Sequence, residues 1–293
     1  MIVTINNDQL TLTADTLGAQ MQSITSYKGT EYLWNGDERY WKGRAPVLFP
    51  FVARLKDKTY TVNGGTYQMK IHGFASACEF EVAEQTESRV TFVLRDNEVT
   101  RAQFPFAFLF KVRYALKEST VEVTYTVDNP ADEMLHFGLG GHPGFNVPLK
   151  EGTAFEDYYL RFSQPCEPDR VGFSSEILVS GTDKRYELED GQIIRLHHDL
   201  FDHDAIVLKN MAKSVTIASD KTKRYVTVSY PQMPYVGFWH AERKDAPYVC
   251  IEPWVSLPAR DGVIEDFACK GDLIHLPGHG SYENTWYITI GEE

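Results

Sequence analysis

Val121-Glu122-Val123-Thr124-Tyr125-Thr126-Val127-Asp128 alternates apolar and polar side chains without a break. Successive side chains of a strand point to opposite faces. This period of two therefore puts Val121, Val123, Tyr125 and Val127 on a buried face and Glu122, Thr124, Thr126 and Asp128 on the other. The same period recurs on both sides of this stretch. Val90, Phe92 and Leu94 alternate with Arg89, Thr91, Val93 and Arg95, and Trp286, Ile288 and Ile290 alternate with Thr285, Tyr287 and Thr289. Thr59-Tyr60-Thr61-Val62, Asn63-Gly64-Gly65 and Thr66-Tyr67-Gln68-Met69 spell a hairpin around an Asn-Gly turn. Further strands are expected at 108–116, 205–208, 214–218, 224–229 and 235–240. No segment of helical length carries a three-four apolar stripe, so helices should be short. Frequent turn signals indicate antiparallel sheets. The expectation is an all-β protein: one large antiparallel β-sandwich spanning residues 1–293 as a single domain, with a long excursion from Gln164 to Lys184.

Composition agrees with a large soluble core, at 43% hydrophobic and 24% charged residues. Aromatics reach 13%, which suits strands and also suits stacking against sugar rings. The 29 basic and 41 acidic side chains give a net charge of −12. Such a surface repels nucleic acid and anionic membrane, and no basic stripe reverses it locally. The N-terminus lacks a basic start followed by a long apolar run, and Phe104–Phe110 is too short to span a bilayer. Cys78, Cys166, Cys250 and Cys269 are scattered and read as reduced thiols. A cytoplasmic protein, monomeric or homodimeric, is expected.

Three short segments carry chemistry: Ile71-His72-Gly73-Phe74-Ala75, Gly140-Gly141-His142-Pro143-Gly144-Phe145 and Cys250-Ile251-Glu252-Pro253-Trp254. In each, one titratable group is hemmed by apolar residues and by glycine or proline, where the backbone turns sharply or is closely approached. A carboxylate between Ile251 and Trp254 has its pKa moved by desolvation or by a partner, and either state suits acid–base work. Any one segment alone could be a structural core pair; all three together favour an active site. Arg44 and Arg54 flank the apolar run Ala45–Phe51 and need a carboxylate, hydroxyl or phosphate as partner.

Other motifs lead nowhere. Gly138-Leu139-Gly140-Gly141-His142-Pro143-Gly144 is glycine-rich, but Pro143 and Pro148 deny it the helix that a dinucleotide loop must open. The His197, His198, Asp202, His203, Asp204 cluster and the His275/His279 pair read as solvated loops, so no metal site is expected. Ser76 and Ser256 lack the setting of a nucleophile. No cofactor is implied.

In their order along the chain, Arg44-Ala45-Pro46, Phe49-Pro50, Arg54-Leu55, His72-Gly73-Phe74, Gly141-His142-Pro143-Gly144-Phe145, Phe201 to Leu208 and Glu252-Pro253-Trp254 resemble the aldose 1-epimerase (mutarotase) superfamily. The chain looks most like its LacX-type branch. The resemblance runs nearly end to end. It implies a galactose-mutarotase-like β-supersandwich with a sugar in an open cleft across one sheet. It makes Glu252 the catalytic base, His142 the catalytic acid, His72 a second, sugar-polarising histidine and Arg54 a substrate-binding arginine. It places a hydroxyl-binding aspartate at Asp204 or Asp202. Galactose-specific members have His-Gly-Gly where this chain has His72-Gly73-Phe74, and many relatives carry arginine in place of Ser76.

The chemistry matches these residue types. Exchanging anomers needs a base for the C1 hydroxyl proton and an acid for the ring oxygen, each contributing about 10²–10⁴-fold. The expected activity is that of an aldose 1-epimerase, an isomerase acting on a small-molecule sugar. The alternatives are a hexose-6-phosphate 1-epimerase, with Arg44, Arg54, Arg260 or Lys244 near the phosphate, and a non-catalytic carbohydrate-binding domain.

Overall fold

A computed structural model describes residues 1–292. Among them, Thr120–Asp128 sits near the middle of a nine-stranded antiparallel sheet, between Leu109–Lys117 and Ser281–Gly291. Val121, Val123, Tyr125 and Val127 are all buried, as the alternation requires. Fully burying a side chain of this kind contributes roughly 1.5–3 kcal/mol, so this one strand anchors the layer. The sheet runs, from edge to edge, through Ile193–Arg195, Tyr158–Phe162, Ser214–Ser219, Thr222–Ser229, Ser281–Gly291, Thr120–Asp128, Leu109–Lys117, Arg89–Arg95 and Glu81–Gln85.

A second sheet packs against it. Its strands run in the order Lys184–Arg185, Asp169–Arg170, Ile206–Lys209, Tyr235–Trp239, Tyr248–Trp254, Gly140–Gly141 and Val47–Leu48, with Gly144–Asn146 also paired to Tyr248–Trp254. Ile206, Leu208, Val236, Phe238, Val249 and Ile251 face inward and join the main core, and Phe238 meets Phe162 of the opposite sheet. The alternate residues Val207, Trp239, Cys250 and Trp254 belong to smaller apolar clusters on the outer face. Glu252, two residues from each of Cys250 and Trp254, takes its place on that outer face by strand period alone.

The expected hairpin forms from Thr59–Val62 and Gly65–Gln68, with Asn63 and Gly64 both at positive φ as an Asn-Gly turn demands. The longest helical segments among the described residues have four residues. None is long and apolar enough to cross a membrane. In the Gln164–Lys184 excursion, Asp169–Arg170 pairs with Lys184–Arg185 at its end, and the chain between folds back on itself through a Phe173–Val179 bridge.

Candidate active site

Two consecutive residues in the left-handed region build one wall of the site. His72 has φ +64° and Gly73 φ +76°. A Cβ on Gly73 would lie 2.2 Å from the Phe49 carbonyl oxygen, so only glycine fits. That same carbonyl accepts the N–H groups of Phe74 and Ala75, at 3.0 and 3.1 Å. His72 is then held from both sides by Ala53: its N–H donates to the Ala53 carbonyl (3.0 Å), and the Ala53 N–H donates to His72 Nδ1 (3.1 Å). With Nδ1 an acceptor, the proton of the neutral ring must sit on Nε2. Burial, and secondarily the Arg54 guanidinium, bring the His72 pKa down to about 4, so the ring is a neutral donor.

His142 and Glu252 meet on the outer face of the second sheet. His142 Nε2 lies 3.2 Å from Glu252 Oε2, and the two residues are 8% and 2% exposed. Gly140 and Gly141 bring His142 in close, because a side chain on either would strike the Pro253 carbonyl or the Trp286 ring. Trp41 stacks on the His142 imidazole with centroids 5.0 Å apart, and Trp239 meets it edge-on at 5.7 Å. His72 approaches it at right angles, 5.4 Å away. Gly237, paired with Glu252, leaves the floor of the cleft open between Glu252 and Trp254.

Burial raises the Glu252 pKa well above the usual carboxylate value. The Asp204 charge adds to this, and the Trp254 indole opposes it. Burial and the neighbouring His72 lower the His142 pKa well below that of free imidazole. The hydrogen-bonding backbone of His142 itself opposes this shift without reversing it. Both shifts favour one arrangement: an uncharged pair holding one proton on the Glu252–His142 contact.

Arg54 and Asp204 form the opposite rim. Their charged ends are 3.7 Å apart, and Asp204, at φ +70°, aims its carboxylate into the cleft from the end of strand Ile206–Lys209. The cleft measures about 310 Å³ and is lined by Arg54, His72, His142, Asp204 and Glu252 together with Trp41, Trp239, Trp254, Phe173, Ile177 and Glu242. Residues from eight separate stretches of chain thus converge.

Two expected residues fall elsewhere. Arg44 does not line the cleft: its Nη1 donates to the Gln22 carbonyl (2.7 Å) and its own N–H to Gln20 Oε1, so it staples the N-terminal strands to the site wall. Asp202 lines a different hollow with His197 and His198, so of the two aspartates Asp204 is the one in the cleft. His275 pairs with His136 across two strands and His279 with Asp132, so these two histidines point to separate partners. Sequence reasoning did not single out Trp41, Trp239 or Glu242. Trp239 occupies an outward position of an alternating strand, which is the one local signal it offered. His142, Cys250 and Glu252 present three potential ligand atoms within 4.8 Å of one another, but the imidazole and carboxylate of this trio already engage each other.

The molecule is thus a two-layer antiparallel sandwich that carries a buried imidazole–carboxylate pair in an open, tryptophan-walled cleft. The chain belongs to the aldose 1-epimerase family, whose model matches residues 1–256. It is 32% identical over 266 residues to the chromosomally encoded Protein LacX of Lactococcus lactis subsp. lactis, covering 88% of both chains. Among solved structures it resembles a galactose mutarotase related enzyme from Lactobacillus acidophilus, at 34% identity and a TM-score of 0.95, covering 100% of this chain and 98% of that one. A galactose mutarotase-like protein from Lactobacillus casei is similar at 30% identity and a TM-score of 0.92, with 99% and 100% covered.

Proposed function

We propose that this protein interconverts the α and β anomers of an aldose by acid–base ring opening and closure. The observation that carries this reading is the 3.2 Å contact between His142 Nε2 and the buried Glu252 carboxylate at the floor of the cleft. The chemistry needs one base and one acid that together hold one proton, and the pair supplies both. With the sugar bound, the shared proton moves to His142, facing the ring oxygen, while Glu252 faces the C1 hydroxyl. Glu252 takes the hydroxyl proton as His142 protonates the ring oxygen, and the C1–O5 bond breaks to give the open-chain aldehyde. After rotation about C1–C2, the C5 hydroxyl returns its proton to His142 as it attacks C1, and Glu252 gives its proton back to O1. Nothing is consumed.

His72 Nε2–H is a fixed neutral donor for a sugar oxygen, and Arg54 with Asp204 offers a donor and an acceptor for ring hydroxyls. The tryptophan rings supply apolar walls for the C–H faces of a pyranose. A phosphorylated hexose gains no support from the other basic residues considered for it. Arg44 is tied to Gln22, Arg260 forms a bidentate pair with Glu265, and Lys244 donates to the Arg39 carbonyl. A purely sugar-binding role leaves the acid–base pair without a task. The test is exchange NMR or polarimetry on freshly dissolved aldoses. Accelerated anomer exchange of at least one sugar is expected, and binding without acceleration across a broad panel would sink the proposal.

A further inference from the structure

His275 and His279 attract notice together in the sequence, but the fold gives His275 a different neighbour. Leu135–Phe137 and Ile274–Leu276 form a two-stranded antiparallel ribbon outside both large sheets. Its register sets His136 directly opposite His275. Side chains opposite each other across an antiparallel pair share one face, with Cβ atoms about 4.5–5.5 Å apart. The two Nδ1 atoms accordingly lie 2.6 Å from each other, and the ring centroids are 4.8 Å apart at an interplanar angle of 72°. One Nδ1–H donates and the other Nδ1 accepts.

The surroundings hold one ring and leave the other free to move. His136 is buried, follows the buried Leu135 and precedes the buried Phe137, and the Phe106 ring meets it edge-on at 5.9 Å. His275 is exposed, so its ring can tilt and an ion can reach it. That sets the pair apart from His142, Cys250 and Glu252, all three of which are buried. Burial, and secondarily His275, lower the His136 pKa against the opposing charge of Asp266. The uncharged ring is the form that ligates a metal, and the field of Asp266 favours a cation beside it.

Imidazole suits zinc, copper and nickel, whereas magnesium and calcium take mostly oxygen ligands. Spacing chooses among the first three. With metal–nitrogen bonds of about 2.0–2.1 Å, two nitrogens at a right angle are about 2.9 Å apart, and two at a tetrahedral angle about 3.4 Å. The 2.6 Å separation is nearer the first, which is the angle in tetragonal copper(II) and nickel(II) sites. We propose that His136 and His275 form a chelating site for copper(II) or nickel(II). The donor ring moves its proton to Nε2, the ion takes the place between the two Nδ1 atoms, and water fills its other positions. The ion ties together positions 139 residues apart and clamps the strand that leads toward His142.

The test is calorimetric titration of the tag-free protein with copper(II), nickel(II) and magnesium at neutral pH. Copper should fill one strongest site, nickel should bind it more weakly, and magnesium should not bind. His275→Ala should weaken that site at least about tenfold, while His279→Ala stays within about twofold of the wild type. Because His275 is exposed, metal-free His275→Ala should melt close to the wild type, which reports an intact fold. Electron paramagnetic resonance of the wild-type protein with one equivalent of copper should show coupling to two nitrogens, a measurement that needs no variant. Copper held equally well by His275→Ala, or coupling to fewer than two nitrogens in the wild type, would overturn the proposal. The anomerase reading is untouched by either result, since neither ring lines the cleft.

Discussion

Glu252 and His142 each sit where the other's charge would help and where water would not. Glu252→Gln keeps the shape but cannot take a proton, so exchange should fall by at least about 10²-fold with sugar binding largely kept. His142→Asn should do the same, and the double variant should be little worse than the worse single change, because the two groups serve one coupled step. Single-turnover exchange NMR with parallel calorimetric binding checks all three. The pKa directions predict the pH profile. Exchange requires the one-proton pair. That state gains a second proton only below the lowered His142 value, under the ordinary 6.5, and loses its proton only above the raised Glu252 value, over the ordinary 4.5. A plot of kcat/KM against pH should therefore be a broad bell with its acid limb below 6.5. Stability follows the same sign. The folded state holds the Glu252 proton more tightly than the unfolded chain does, so the wild type loses stability as pH rises from 4.5 through the folded value. The Gln variant should escape that loss, and its melting temperature relative to wild type should rise across this window.

At the scale of elements, the site depends on backbone conformations that few residues tolerate. Gly73 joins a left-handed backbone to a contact with Phe49 that leaves no room for a Cβ. Gly73→Ala should cost roughly 2 kcal/mol or more, through strain and displacement of the 49–50 segment. It should also shift His72 away from Ala53, releasing the ring tautomer. Thermal melts should show the first effect, and the second should raise KM for the sugar more than it lowers kcat. The sequence segment Ile71-His72-Gly73-Phe74 announced a sharp turn, since glycine beside a polar residue in an apolar run has few other uses. Arg44 shows where such local evidence stops. Its position next to an apolar run was visible, but its direction depends on Gln20 and Gln22, more than twenty residues earlier in the chain.

At the scale of the whole molecule, the larger sheet is closed by chain segments far apart in sequence. Thr120–Asp128 pairs with Ser281–Gly291, and that strand also pairs with Thr222–Ser229. Removing residues 281–293 would take a central strand from the sheet and expose the faces of Val121, Val123 and Val226. The truncated chain should show no cooperative unfolding by calorimetry, whereas loss of an edge strand could be survived. The sequence by itself determined the strand period, the buried face of each strand and the hairpin turn at Asn63-Gly64, because each depends on neighbours in the chain. It also marked His72, His142 and Glu252 as unusual, because a titratable group among apolar and turn-forming residues stands out locally. The family resemblance implied a shared cleft for these three with Arg54 and Asp204 or Asp202; the tertiary structure alone decided that Asp202 and Arg44 face elsewhere and that Trp41 and Trp239 wall the imidazole. The physical reason is register. Which outward position of one strand lies beside which of the next is fixed by pairing across the sheet, and a single chain segment carries no record of its partner.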